Sequence, residues 1–348
     1  MSGPELSAEK VIARLGFRPD SLEARYVAEL SREPAPVGFD PLEGSAAWEL
    51  LDRLGVSGEE AGDVVATLPD PERTPEWWWL AERAAGRLVA AMGEPDVPRG
   101  TWPAFEGPSC GPAERCHFTH VALLVVPHTL SYYERLGVSY ETARASLSDI
   151  ARHMAIHRRT FGVTGTEAAW WVTLCLRAEI VELGRLQYNR ITLGQTDMSP
   201  LWYPPEEAER RGDGFRRGDP SLGVHIPESG PLRPDLVEES LKLAGCFFER
   251  FYPVQGRRLA TCMSWLLDPQ LSQYLSEESN IISFQRLFEL VPGGYIGDRD
   301  VMQFVFRAPA DAVLDSLPQN TSMERAAVAH IRAGQHWQVV TGWLELPS

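Results

Sequence analysis

The chain has 348 residues, 44% of them hydrophobic and 23% charged, and 33 Lys and Arg against 48 Asp and Glu give a formal net charge of −15. This balance belongs to a globular protein rather than a disordered one, with length enough for two ordinary domains. So acidic a surface repels phosphate backbones and anionic lipid, which argues against a nucleic-acid or membrane-surface binder.

The opening MSGPELSAEK has no basic region followed by an apolar one, and the longest apolar run, Val121 to Val126, is too short to cross a bilayer. A cytoplasmic protein is expected. Five cysteines are too sparse for a disulfide scaffold, and Cys175, Cys246 and Cys262 lie in apolar runs that predict core thiols.

The first third reads as short helices broken by Pro and Gly: Ser7 to Leu15, Ser21 to Leu30, Ala46 to Leu54 and Glu59 to Leu68. The best-marked is Thr74 to Met92, with Thr74 as cap, Pro75 at the first helical position and one stripe of Trp77, Leu80, Ala84, Leu88 and Ala91. Its run Trp77-Trp78-Trp79 points three ways, about 100° apart, so at least one ring is expected to face away from the domain's own core. A proline-rich loop from Gly93 to about His117 follows. Helices are then predicted over Val121 to Leu136, Ser139 to Arg159 and Thr166 to about Ile180.

After Gly184 the pattern alternates. RLQYNRITL reads as a strand, a polar insert covers Gly194 to Pro220, and SLGVHIP reads as a second strand. A helix follows over Asp235 to Tyr252, then a central strand over Arg258 to Leu267, an ambiguous element over Ser279 to Leu290 and a strand over Val301 to Arg307. A helix from Met323 to Ala333 and a strand from His336 to Leu346 close the chain. The fold class is therefore α+β: a helical N-terminal domain followed by a mixed α/β domain.

Two groupings superficially suggest metal. Cys110, Cys116, His117 and His120 fit no common zinc spacing and read as a plain loop. His153 and His157 lie four apart but lack the glutamate of a zinc-protease helix, and read as a solvated helix face. No metal is expected. Nucleophile-elbow, Walker and dinucleotide motifs do not occur in the sequence.

The informative segment is LGVHIPESGPLRPDLVEESLKLAGCFFERFY. A strand ends in the short loop Glu228 to Arg233, which opens into a long helix. Such a junction presents unpaired N–H groups and a partial positive charge to an anion. Arg233 adds a full charge there, and His225 lies near the end of the strand.

The phrases LGRLQY, LGVHIPESGPL, SWLLDPQLSQYL and SNIISFQRLF resemble the bacterial two-domain acyltransferases, in which a helical domain precedes a GNAT-like (general N-acetyltransferase) domain, and to which the sugar N-acyltransferases of lipoglycopeptide antibiotic synthesis are related. The resemblance covers residues 139 to 348, and implies a helical domain over 1–138 with a GNAT-like domain over 139–348. It also implies acyl transfer from an acyl-thioester, usually acyl-CoA, to a small-molecule or glycoconjugate amine. SLGVHIP would be the splayed strand that donates N–H to the thioester carbonyl, and ESGPLR would hold the pyrophosphate through Ser229, Gly230, Leu232 and Arg233.

The base of a direct, ternary-complex transfer is expected to be His225 first and Glu228 second; Tyr188 and Tyr274 are possible proton donors to the thiolate. One departure stands out: the family's phosphate loop is Gly-rich with a leading Gln, whereas this one has a single Gly230 with Pro231 and Pro234, which donate no N–H. That loop also leaves open a GNAT-like protein that binds acyl-CoA or a partner without catalysis.

Overall fold

Ser7 and Ser21 accept hydrogen bonds from the backbone N–H groups of Lys10 (3.4 Å) and Ala24 (3.2 Å), and so set the starts of helices Ala8–Leu15 and Leu22–Leu30. A computed structural model describes residues 6–33, 38–95, 97–195, 201–253 and 259–347. Arg258, at the start of a predicted strand, and parts of the 194–220 insert lie outside these residues.

Helices Gly44–Leu54, Gly58–Ala66 and Pro75–Ala90 follow, with Pro75 at the first turn. The predicted Thr74 cap is built differently: its hydroxyl accepts from the Asp70 N–H at 2.9 Å. The long loop ends earlier than its prolines suggest, since a four-residue helix, Pro112–Arg115, leads directly into His117–Leu136. Then come Tyr140–Leu147, Asp149–Phe161 and Ala169–Leu176.

The chain divides into two units between Val181 and Glu182 rather than at 138/139. Leu147, Ile150, Met154, Val172 and Leu176 are buried in the same cluster as Val11, Leu51, Leu80 and Val125. Apolar spacing locates those helices but does not say which core they fill.

All three tryptophans belong to that core: Trp78 and Trp79 are buried in it and Trp77 packs against it, meeting Phe17, Phe105 and His117. The expected outward ring is not seen, because helix 75–90 packs on several sides within its own unit.

The second unit is built on a sheet with order β1-β2-β3-β4-β7-β5, β6 pairing β7. The strands are β1 (Val181–Leu183), β2 (Leu186–Thr192), β3 (Pro220–His225), β4 (Leu259–Ser264), β5 (Glu289–Leu290), β6 (Tyr295–Ile296) and β7 (Gln338–Glu345). Helix Pro234–Phe251 joins the parallel strands β3 and β4, and buries Val237, Leu241, Ala244 and Phe248.

Three local expectations change. Residues 301–307 are not a strand: Asp298–Val301 is helical and continues as a π-turn over Met302–Phe306, with Asp298 and Asp300 favouring a helix N-terminus. The insert holds a helix, Pro205–Arg211. Cys246 is exposed, since its position on helix 234–251 falls outside the buried stripe.

Candidate functional site

The register of β2 on β3 pairs Gln187 with His225 and Asn189 with Gly223, so these four positions share one face of the sheet, while Tyr188 and Val224 share the other. On the first face His225 Nε2 donates to Asn189 Oδ1 at 2.8 Å. Nε2 then carries the proton, and Nδ1 holds the lone pair that a base needs. Asn189 is 1% exposed, so its amide is held by packing, whereas His225 is only partly buried. Gln187, also buried, donates to Glu182 at 2.9 Å.

Gly223 makes the Asn189–His225 pair possible. A Cβ there would lie 2.3 Å from Asn189 Oδ1 and 3.1 Å from His225 Nε2. The amide occupies the space that any side chain would fill.

Between β3 and β4 the ladder is short. It joins Leu222 to Ala260 and Gly223 to Thr261, whereas β2–β3 and β4–β7 each run six pairs. Beyond Gly223 and Thr261 the two strands continue to His225 and Ser264 without pairing to one another among the described residues. The Thr261 hydroxyl donates to Leu222 O at 3.4 Å, so the Leu222 carbonyl faces β4. By strand alternation Val224, two residues on, also faces β4, its N–H at the last paired position and its C=O where the pairing ends. Ligands of such sheets gather at the carboxyl ends of parallel strands, where this opening lies.

Past His225 the loop runs into the N-terminus of helix 234–251. Its organiser is a residue that sequence reasoning missed. Arg185, 8% exposed, donates through Nε to Pro231 O (3.0 Å), through Nη1 to Pro227 O (3.1 Å) and Ser229 Oγ (3.3 Å), and through Nη2 to Gly230 O (2.5 Å). Its one sequence signal was a position inside LGRLQY. Gly230 has φ +117°, a conformation that favours glycine.

Of the predicted loop residues, Ser229 and Gly230 are exposed and Leu232 buries its side chain. Arg233 is exposed and bidentate to Asp235 (3.1 and 2.6 Å). Glu228 is paired with Arg307, which ends the 302–306 turn at φ +53°.

The two tyrosines lie elsewhere. Tyr188 is fully buried, its hydroxyl 2.9 Å from Ser240 Oγ, and burial pushes its pKa up strongly. Tyr274 meets His330 Nδ1 at 3.1 Å in a cluster around Trp337. Neither is on the His225 face of β2 and β3. Two surface hollows of about 530 and 440 Å³, one beside Tyr203 and Arg211 and one beside Asp268 and His336, include neither His225 nor the 227–233 loop.

Three histidines of the first unit, His117, His120 and His157, are buried and structural. His117 is buried against Tyr26 OH (3.0 Å), and burial lowers its pKa to about 3; burial likewise lowers that of His120 to about 4. His157, expected on a solvated face, is buried and accepts from the Gly107 N–H at 3.2 Å, because the 107 and 163–165 segments close over it. Among the described residues no group of three or more His, Cys, Asp or Glu is placed to hold a metal ion.

A helical unit followed by a mixed sheet whose parallel strands part beside a strand–loop–helix junction is the architecture of a GNAT-like acyltransferase. Residues 46–178 match the N-acyltransferase N-terminal domain and residues 180–344 the GNAT-like C-terminal domain.

Solved structures of an acyltransferase extend the match over the whole fold. A mutant of orf11* in complex with octanoyl-CoA is 35% identical with TM-score 0.85, covering 98% of this chain and 100% of that one. A complex with decanoyl-CoA and teicoplanin is 35% identical with TM-score 0.83 and the same coverage. A third, with CoA and 10C-teicoplanin, is also 35% identical with TM-score 0.83 and the same coverage. The chain belongs to this two-domain N-acyltransferase family. No curated protein matches the sequence. No described helix is long and apolar enough to cross a membrane.

Proposed function

We propose that the protein transfers an acyl chain of about the octanoyl to decanoyl class from acyl-CoA to an amine of a glycoconjugate, by direct attack in a ternary complex. The observation that carries this reading is the parting of β3 and β4 beyond Gly223 and Thr261, beside a histidine oriented by Asn189. The relatives' ligands, acyl-CoA and teicoplanin, support the substrate classes.

In this reading the thioester lies in the opening, its carbonyl oxygen toward a backbone N–H at the end of the parting strands. His225 Nδ1 takes a proton from the acceptor amine as its nitrogen bonds to the carbonyl carbon. The negative oxygen that forms is stabilised by backbone N–H donation. The intermediate collapses by breaking the C–S bond, the CoA thiolate leaves and is protonated, and the amide remains. The loop of Ser229, Gly230, Leu232 and Arg233 holds the pyrophosphate, with the N-terminus of helix 234–251 beneath it. No step calls for a Lewis acid.

The test is thiol release from decanoyl-CoA with and without an amine-bearing glycopeptide. Acceptor-dependent release with an acylated product by mass spectrometry is expected. Binding of decanoyl-CoA with no release across a panel of amines would instead assign a non-catalytic acyl-CoA binder.

A further inference from the structure

We infer that Arg185 is the positioning residue that lets a proline-bearing loop grip the pyrophosphate of the acyl donor, in place of the glycines such loops ordinarily use. The inference rests on the donor reading given above and names a residue for it.

The loop carries the handicap of Pro227, Pro231 and Pro234, none of which donates an N–H. It also contains carbonyl oxygens, which repel a phosphate wherever they point at it. The Arg185 guanidinium removes three of these from contention, because it collects the carbonyls of Pro227, Gly230 and Pro231, together with the Ser229 hydroxyl. A planar fork of donors suits this convergence. The φ of +117° at Gly230 turns the chain within the loop.

The consequence for the N–H groups follows from peptide geometry. No peptide bond here is cis, and in a trans peptide the C=O of one residue and the N–H of the next point in opposite directions. With the Pro227 carbonyl on Arg185, the Glu228 N–H is turned away from the guanidinium. With the Pro231 carbonyl on Arg185, so is the Leu232 N–H. The peptide in between, Gly230–Pro231, has no N–H to place. One buried side chain thus gathers the loop's carbonyls and turns the Glu228 and Leu232 N–H groups away from itself, while the Ser229 N–H closes onto the Pro227 carbonyl at 2.8 Å. It also explains how Leu232 can serve an anion with its side chain buried at 6% exposure: it offers the backbone, not the side chain.

The experiment compares two donors that differ only in the phosphate-bearing part, decanoyl-CoA and S-decanoyl-pantetheine, in wild type, Arg185→Lys and Arg185→Gln. Lysine keeps the charge but not the fork. In both variants KM for decanoyl-CoA should rise by about 10- to 100-fold, the loss expected for charge-assisted hydrogen bonds to an anion, with kcat little changed. kcat/KM for the pantetheine thioester should be nearly unaltered, so the preference for CoA collapses. A residue that merely stabilised the fold would depress both donors together, and an unchanged ratio of the two overturns the inference. If the wild type itself fails to turn over either donor, the donor reading is what has failed.

Discussion

Replacing Gly223 by Ala tests the geometry of the candidate base without touching the base. The added Cβ lies 2.3 Å from Asn189 Oδ1, so the amide oxygen must retreat by about 1.1 Å to reach ordinary contact. Retreat directly away from that Cβ stretches the 2.8 Å bond to His225 to about 3.3 Å, the weak end of hydrogen bonding. The imidazole becomes charged as it accepts the proton, and a hydrogen bond to a charged group is worth about 1.5–3 kcal/mol. Weakening that bond predicts a fall in kcat, with complete loss, about 10- to 150-fold, as its upper limit. Crowding adds a stability cost of about 1–3 kcal/mol, visible as a lower Tm.

Asn189→Ala removes both the bond and the amide that the added methyl group would strike, so the two changes should be strongly non-additive. The assay is steady-state thiol release for wild type, the two single variants and the double variant, with circular dichroism to confirm folding. The double variant should be about as active as Asn189→Ala alone. Additive losses, or a folded Gly223→Ala enzyme with wild-type kcat, would refute the reasoning.

His225→Ala should lower kcat by about 10²- to 10⁴-fold while leaving the dissociation constant of acyl-CoA nearly intact. Glu228→Gln should cost far less, because the Glu228 carboxylate is already engaged by Arg307; the reverse order in single-turnover rates would make Glu228 the base. Trp78→Ala should destabilise by about 3–5 kcal/mol with unchanged preference among acyl lengths, since the ring is buried in the helical core. A shifted length preference at unchanged Tm would contradict that placement. His117 and His120 titrate near 6.5 when unfolded but at about 3 and about 4 when folded, so the unfolded chain binds more protons in between. Stability is complete above pH 6.5 and falls as the pH drops toward 4, by about 1.4 kcal/mol per unit for each group. Thermal melts from pH 7 to 4 should show it, and a His117→Gln variant with an equally steep fall would exclude His117 as a source.

The sequence by itself determined the elements whose pattern is local. The strands read in RLQYNRITL and SLGVHIP, the apolar stripe of the helix read over Asp235 to Tyr252 and the caps at Ser7 and Ser21 each follow from a few neighbouring residues, and all are found. So does the strand–loop–helix junction that places His225 beside a candidate anion site. Tertiary structure decided what depends on distant partners. The 140–176 helices joined the first unit because amphipathic spacing gives a face but not the surface it meets. Residues 302–306 are a π-turn, though Met302, Phe304 and Phe306 alternate, since period alone does not distinguish a short strand from a turn of helix. Asn189, Gly223 and Arg185 acquire their roles only when β2 pairs with β3 and Arg185 reaches a loop more than forty residues further along the chain. A candidate base could be named from one histidine; the groups that contact it and shape the loop are set by register and packing, which no single stretch of sequence encodes.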